Sequence, residues 1–168
     1  MLSEKMKKHA AYTEVERLIK VYLPLDQPLN ILDVGSRCVS GCFRSFFEYP
    51  TWKYTGLDMQ AGSNVDVITD KPYQYPFDSC TFDVVVSGQC MEHVKAIWQW
   101  VPELARVLKP GGLLILSAPW RFKIHQFPVD CWRILPDGMR YIVEEWSGLQ
   151  VLECYDREGF TFCAARKP

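Results

Sequence analysis

The sequence contains no long hydrophobic run. Its longest apolar stretches, such as residues 113–119, fall well below the roughly 20 residues that a membrane-spanning helix requires. Residues 1–14 (MLSEKMKKHAAYTE) also lack the apolar core of a secretory signal peptide. We therefore expect a cytoplasmic protein with no membrane partner.

An excess of charge of either sign is also missing. The chain has 19 Lys and Arg residues against 20 Asp and Glu residues, which gives a net charge of −1. A protein that binds the phosphate backbone of nucleic acids broadly needs a basic surface. The charge balance therefore argues against a nucleic-acid partner.

The seven cysteines do not have the spacing of a metal site. No C-x-x-C pair occurs, and that pair is the usual signature of bound zinc or of a redox-active dithiol. Without an export signal, such cysteines are typical of reduced and mostly buried thiols. We therefore predict no metal site.

The length and the lack of repeats or linkers predict a single domain over residues 1–168. An N-terminal helix that covers one face of the domain is expected within residues 1–24. Thr13 and Glu16 form a capping-box pattern there, and apolar residues follow at helical spacing. Pro24 should end this helix, because a residue before proline avoids the helical conformation.

Short apolar runs alternate with helical patterns from residue 30 onward. Strands are predicted at 31–34, 54–58, 65–69, 82–87, 113–117, 149–155 and 160–165, and helices at 41–48, 94–108 and 136–146. Pro102 should kink or split the second of these helices. Continuous apolar strands separated by helices are typical of a parallel sheet covered on both faces. The expected fold is therefore α/β, a doubly wound and mostly parallel sheet of about seven strands in three layers, with an antiparallel edge.

Such sheets bind ligands beyond the carboxyl ends of their strands, so the residues after each strand are the candidate site. Asp33 lies near the end of the first strand, and Gly35 and Ser36 follow it. A glycine there lets the backbone approach a ligand, although a strand-to-helix turn often needs glycine anyway. Asp58 ends the second strand, and its carboxylate can accept two hydrogen bonds from ribose hydroxyls. Asp70 follows the third strand and could either accept from an adenine amino group or cap a turn.

The fourth strand leads into Gln89 and His93. Polar groups at the end of a central strand face the middle of a bound ligand. His93 could orient a substrate or take a proton, because the ordinary pKa of histidine lies near physiological pH. A structural role at the start of the next helix is the alternative.

Residues 119–135 form an aromatic-rich segment too long for a routine connection. Large apolar side chains are unfavourable in water, so we expect this segment to fold over the substrate side of the site. His125, Asp130 and Arg133 are its candidate polar contacts. An ion pair between Asp130 and Arg133 that only fixes the loop is the structural alternative.

Together these motifs resemble the class I S-adenosylmethionine-dependent methyltransferases, of the small Rossmann-like, type 11 kind. ILDVGS, YTGLD, TFDVVVSGQCMEHV and LARVLKPGGLLILSAP are similar, in order and spacing, to that family's strands and turns. The family's G-x-G-x-G turn is altered, because Arg37 and Val39 stand where glycine is usual. A bacterial subgroup has a similar turn together with an H-x-x-P-x-D-[YC]-W-R-like stretch, which this chain matches from His125 to Arg133.

The resemblance implies S-adenosylmethionine as the cofactor and a role for each matching position. Asp33, Gly35 and Ser36 would hold its methionine end, Asp58 its ribose and Met59 its adenine ring. Asp70 would face the adenine amino group, and Gln89 would lie near the sulfonium. His93 and His125 are the candidate bases, with Asp130 orienting a histidine.

The resemblance also implies methyl transfer to an oxygen or nitrogen of a small or medium acceptor. The fourth strand is not followed by [DN]-P-P-[YFW], and this disfavours adenine or the glutamine side-chain amide as the acceptor. It is not followed by Pro-Cys either, and this disfavours methylation of a pyrimidine carbon. Members resembling the subgroup are often linked to saccharide pathways, which favours a sugar hydroxyl or amine.

Two other functions remain open at this stage. A nicotinamide-dependent oxidoreductase would also use a glycine turn and Asp58, but it would normally carry G-x-G-x-x-G and a Tyr-Lys pair. A non-catalytic binding module would present a partner surface. Its candidate residues are Trp98, Trp100, Trp120 and Trp132, which could equally belong to the core, the loop or a homodimer contact.

Overall fold

A seven-stranded sheet runs through the part of the chain that the computed structural model describes, residues 10–39 and 41–168. Its strands are β1 (Leu29–Val34), β2 (Trp52–Asp58), β3 (Val67–Ile68), β4 (Phe82–Gly88), β5 (Leu108–Pro119), β6 (Gln150–Arg157) and β7 (Phe160–Arg166). The strand order is β3-β2-β1-β4-β5-β7-β6. Strands β1 to β5 are parallel, whereas β7 is antiparallel to both β5 and β6. The predicted α/β fold is confirmed.

Alternating side chains of the central strands build a separate core on each face of the sheet. In β4, Val84 and Val86 face one core and Val85 faces the other. All three are fully buried. A strand buried on both faces requires an uninterrupted apolar sequence, and this is why the run FDVVVS was a clear strand signal.

Helix α1 (Ala10–Tyr22) covers the first face, as the sequence predicted. Its start differs from the prediction. Thr13 lies inside the helix and donates from Oγ1 to the carbonyl of Ala10 at 3.2 Å, so the capping-box assignment was wrong. Ala10 and Ala11 are already buried against the sheet, which favours helix ahead of Thr13. The remainder of the predicted N-terminal segment, residues 1–9, lies outside the described residues.

Helices α2 (Ile97–Val107) and α3 (Pro136–Ser147) cover the opposite face. Pro102 does not split α2, which continues through it. Proline removes one backbone donor to the carbonyl four residues earlier, here that of Trp98, on the exposed side of the helix. Across the described residues, we find no helix with the length and apolar character of a membrane span.

The helix predicted at residues 41–48 is absent from the described part of this segment, which contains a single 3-10 turn at Arg44–Phe46. Phe43 and Phe47 are buried in the core beside α1. The ring of Phe43 packs edge-on against Tyr12, with centroids 5.6 Å apart. Aromatic residues have modest helix propensity, so their burial decides the local structure.

Candidate active site

A cavity of about 560 Å³ opens at the carboxyl ends of β1, β2 and β4. This is where a doubly wound sheet is expected to bind its ligand, and the volume lies in the roughly 300–1,000 Å³ range of small-molecule sites. Six of the residues singled out for cofactor binding line it. They are Asp33, Gly35, Ser36, Asp58, Met59 and Gln89.

Asp33 lies at the end of β1 and is buried. Its carboxylate accepts a hydrogen bond from the Tyr54 hydroxyl, which in turn accepts one from Nδ2 of Asn64 at 3.0 Å. Burial raises the pKa of Asp33 to about 7, although the Tyr54 hydrogen bond and the charge of Arg44 oppose this shift. Asp33 can therefore change its protonation state near neutral pH.

The turn after β1 depends on glycine at position 35. Gly35 has a φ of +77°, and a Cβ at this position would lie 2.6 Å from Sγ of Cys90. The amides of Gly35 and Ser36 both donate to the carbonyl of Leu57, at 2.9 and 3.1 Å. The Ser36 hydroxyl donates to the carbonyl of Asn64 at 3.1 Å. These bonds hold the turn against the end of β2.

Asp58 ends β2 at the wall of the cavity. Its Oδ2 accepts from the amide of Arg37 at 3.1 Å, and its Oδ1 accepts from the amide of Gln60 at 2.9 Å. A carboxylate has about four acceptor positions, so further donors can be accommodated. The next residue, Met59, is largely exposed and lines the same cavity.

The structure does not bring Asp70 to this group. Its side chain is exposed and does not line the cavity, whereas the adjacent Thr69 is buried and does. The Thr69 hydroxyl accepts from the amide of Lys71 at 3.1 Å. The adenine contact assigned to Asp70 therefore stays a prediction.

Gln89 and His93 extend from the end of β4 towards the cavity. Nε2 of Gln89 donates to the Ser117 hydroxyl at 2.7 Å, which ties this amide to β5. His93 closes the 3-10 turn Met91–His93. Its Nδ1 lies 2.6 Å from the carbonyl oxygen of Val129. A carbonyl can only accept, so Nδ1 carries the proton and Nε2 has the free lone pair.

Residues 120–135, here called the lid, lie against the same cavity. His125 and Phe127 of the lid line it, and the ring centroids of His125 and His93 are 4.8 Å apart. The guanidinium of Arg37 stacks over the ring of Phe127 at 4.9 Å from its centroid. The lid is thus joined to the turn after β1 across the cavity.

Asp130 stabilises the conformation of the lid by accepting hydrogen bonds from other lid residues. Its carboxylate accepts two hydrogen bonds from Arg133, at 2.6 and 2.7 Å, so the predicted alternative of a fixing ion pair is present. Oδ2 also accepts from the amide of His125 at 2.7 Å and lies 3.4 Å from Nδ1 of that ring. The hydrogen bonds from Arg133 hold the pKa of Asp130 well below its usual range. Asp130 does not line the cavity, and its contact with any ligand is through His125.

Glu92 was not singled out in the sequence, although it stands beside His93. It is 1% exposed, and neither oxygen of its carboxylate has a hydrogen-bond partner among the residues that the structure describes. Burial raises its pKa to about 7. Its Oε1 lies 3.8 Å from Nε2 of His93. The Glu-His pair was the only signal in the sequence. The amides of Cys131 and Trp132 in the lid donate to the backbone carbonyl of Glu92, at 2.7 and 3.3 Å, so the lid packs beside this residue.

The four tryptophans do not form a common surface. Trp100 is buried in the core, and Trp132 packs against the same core. Trp98 is about half exposed and meets Trp132 edge-on, with centroids 6.5 Å apart. Trp100 therefore cannot belong to the partner surface considered for a binding module, and the alternative of a core position is the one that holds for it.

A family model described as a methyltransferase domain matches residues 32–116, which is half of the chain. The matched segment contains the second half of β1, all of β2 to β4 and α2, and most of β5, and so includes the strand ends that line the cavity. The chain belongs to the class I S-adenosylmethionine-dependent methyltransferases. The resemblance to the family is confirmed, and neither the oxidoreductase nor the binding module is favoured. The subgroup resemblance of the loop from His125 to Arg133 stays a prediction.

Relatives among known proteins agree with this family. An uncharacterized methyltransferase of Mycobacterium leprae is 34% identical over 98 residues, which cover 52% of this chain and 36% of the relative. The chain thus spans about a third of the length of that curated relative.

Solved structures share the fold at low identity. A SAM-dependent methyltransferase from Aquifex aeolicus has a TM-score of 0.68 at 17% identity and covers 98% of each chain. The [4+2]-cyclase SpnF has a TM-score of 0.72 at 17% identity, covering 92% of this chain and 80% of that one. One fold can carry different chemistries, so the site has to be argued from its residues.

The cofactor that the family implies fits the residues present. The turn at Gly35 and Ser36 lines the cavity, and Asp58 retains acceptor positions at its wall. Met59 offers an apolar side chain next to that carboxylate. These are the groups needed for a methionine moiety, a ribose diol and an aromatic base.

Proposed function

We propose that this protein transfers a methyl group from S-adenosylmethionine to an oxygen or nitrogen of a small or medium acceptor. The observation that carries the proposal is a single cavity lined by two groups of residues with different chemistry. The ends of β1 and β2 supply the cofactor-type residues, and the end of β4 with the lid supplies two histidines. A cofactor and an acceptor could meet between them.

The cofactor side depends on positioning. S-adenosylmethionine supplies a methyl group already activated on sulfur. Asp58 would accept hydrogen bonds from the ribose hydroxyls, and the turn at Gly35 and Ser36 would hold the methionine end. Most of the rate must then come from placing the acceptor atom in line with the methyl group, which the cavity walls would do by fixing both molecules.

The acceptor side would manage a proton. A hydroxyl or ammonium acceptor must lose a proton as it is methylated, and Nε2 of His93 or of His125 could receive it. Asp130 would act as a positioning residue, because its carboxylate contacts both the amide and Nδ1 of His125. His93 is positioned by the carbonyl of Val129.

A sugar hydroxyl or amine is the acceptor class we propose. The subgroup resemblance in the lid supports it, as does the absence of the motifs for adenine, glutamine-amide or pyrimidine-carbon acceptors. A cavity of small-molecule size and a net charge of −1 are compatible with such an acceptor.

Calorimetric titration with S-adenosylmethionine, S-adenosylhomocysteine and NAD tests the proposal. We expect micromolar binding of the first two and none of NAD. Asp58→Ala should weaken binding about 100-fold, since hydrogen bonds to a charged group contribute about 1.5–3 kcal/mol each.

Asp26→Ala is the matched control. Asp26 is exposed and precedes β1, at the opposite end of that strand from the cavity. Its substitution should leave both affinities unchanged. Failure to bind either methyltransferase ligand would refute the enzyme proposal and redirect the search to a protein partner.

A further inference from the structure

Three ligand-type side chains converge where the end of β4 meets the lid. These side chains are Glu92, His93 and His125. Each offers one possible ligand atom, and the three atoms lie within 4.8 Å of one another. Ligands around a tetrahedral ion with bonds near 2.1 Å stand about 3.4 Å apart, so small side-chain rotations would complete such a set. The cysteine spacing that argued against zinc in the sequence says nothing about these residues.

The second observation is the burial of the Glu92 carboxylate. It is 1% exposed, and within residues 10–39 and 41–168 no group forms a hydrogen bond with either of its oxygens. A buried, unpaired carboxylate is strongly unfavourable unless a cation or a donor faces it. Among the described residues, the basic side chain within 4 Å of this carboxylate is His93, whose Nε2 lies 3.8 Å from Oε1. That separation is too long for a hydrogen bond but leaves space for an ion bound by both groups.

The two histidines are oriented as metal ligands usually are. A ligating histidine commonly donates its other ring N–H to a carbonyl or a carboxylate. Nδ1 of His93 faces the carbonyl of Val129 at 2.6 Å. Nδ1 of His125 faces the carbonyl of Lys123 at 3.3 Å and lies 3.4 Å from Oδ2 of Asp130. All three oxygens only accept, so Nε2 of each neutral ring has an available lone pair.

From the convergence of their ligand atoms within 4.8 Å, we infer that Glu92, His93 and His125 bind one divalent transition-metal ion of the zinc type. Two imidazoles and a carboxylate suit zinc, iron(II), cobalt(II) or manganese better than magnesium or calcium, which prefer oxygen ligands. Three protein ligands leave a coordination position open, as in catalytic zinc sites.

This inference rests on the proposed function for its role in catalysis. His93 and His125 line the cavity and Glu92 lies behind them, so the open position would face the acceptor. An acceptor hydroxyl is the ligand that fits it, because a divalent ion lowers the pKa of a bound oxygen. With the ion bound, both Nε2 atoms would be ligands and could not accept the acceptor proton. The metal would instead lower the pKa of the acceptor hydroxyl, and the proton would pass to solvent water.

Titration of the chelator-treated protein with zinc chloride, prepared without a histidine tag, tests the site. We expect one ion per chain. Glu92→Gln, His93→Ala and His125→Ala should each weaken binding at least tenfold. His9→Ala is the matched control, because it removes the third histidine of the sequence, and should have no effect. Circular dichroism of each variant separates lost ligation from lost folding.

Cobalt(II) substitution identifies the ligands independently. The seven cysteines could bind the ion through thiolates, which give intense charge-transfer absorption that nitrogen and oxygen ligands do not. We expect only the weaker bands of a nitrogen and oxygen site. Thiolate bands, absence of binding, or binding that survives all three substitutions would overturn the inference. S-adenosylmethionine binding is measured on the same samples, so a protein that binds cofactor but no metal refutes this inference alone.

Discussion

Asp58 and Asp70 follow neighbouring strands but are placed differently relative to the cavity. Asp58 lines it, whereas Asp70 is exposed outside it. We therefore expect Asp70→Ala to change the affinity for S-adenosylhomocysteine by less than about threefold, below 1 kcal/mol. Calorimetry on this variant beside Asp58→Ala decides the matter. A loss of tenfold or more would mean that Asp70 reaches the adenine, as the resemblance implies.

At the residue scale, the sequence predicted positions that directly follow a strand and missed those created by tertiary contacts. Asp33 and Asp58 were found because a polar residue ended an apolar run. Glu92 was missed because its importance depends on the lid residue His125, 33 positions later in the chain. Residue types alone do not tell whether such a carboxylate is buried.

At the scale of the element, α3 offers a test with its own control. The helix ends at Gly148, which has a φ of +68° and donates its amide to the carbonyl of Glu144 at 3.0 Å. Gly148→Ala should cost about 1 kcal/mol in the free energy of unfolding, because a side chain disfavours this left-handed conformation. Urea denaturation measures the change.

Gly138, inside the same helix, should respond in the opposite direction. A Cβ there would lie 3.6 Å from a methyl group of Ile134, an ordinary contact. Gly138→Ala should therefore stabilise the protein by about 0.5–1 kcal/mol. Destabilisation by both substitutions would show that α3 tolerates no added side chain, and would contradict the assignment of the effect to backbone conformation.

Strands were more predictable than helices for a physical reason. The central strands are buried on both faces, so their sequences are continuously apolar and their existence follows from composition. The segment after β1 is rich in phenylalanine. Its spacing of apolar residues is compatible with a helix and equally with an irregular segment that packs against the core. Burial of Phe43 and Phe47 beside α1 decided the outcome, and that contact is not local in sequence.

At the scale of the whole molecule, an ionic network joins α1 to β6. Arg17 contacts Glu14 at 2.9 Å and Glu153 at 2.8 Å, and Arg157 also pairs with Glu14. Burial acts to raise the pKa of Glu14, but hydrogen bonds from Tyr155 and Arg17 outweigh it and lower that pKa below 4.5. The stability that this network gives to the contact between α1 and β6 therefore depends on pH.

The sign of the pH effect follows from this lowered pKa. A carboxyl group whose pKa is depressed by folding adds stability above its unfolded pKa, and this stability is lost as pH falls through the folded value. Glu14→Gln should lower the Tm by about 3–6 °C at pH 7, and the difference should narrow towards pH 3. Thermal denaturation monitored by circular dichroism measures both values.

Glu16→Gln provides the comparison, because Glu16 lies on the exposed side of α1 and pairs only with Lys20 in the described contacts. Its Tm should stay within about 1 °C of the parent protein at both pH values, as expected for a surface ion pair. An equal loss in the two variants would indicate that the charge of α1, rather than the network, sets its stability.

The two outer strands of the sheet also bear on how the protein behaves at high concentration. An unpaired strand edge is a template for joining other chains, and proteins resist this with short or charged edge strands. β3 is only two residues long, and β6 carries Glu153, Asp156 and Arg157 along its length. Edge-to-edge growth into fibrous aggregates is therefore disfavoured on both sides, and the protein is protected against it by strand length at one border and by charge at the other.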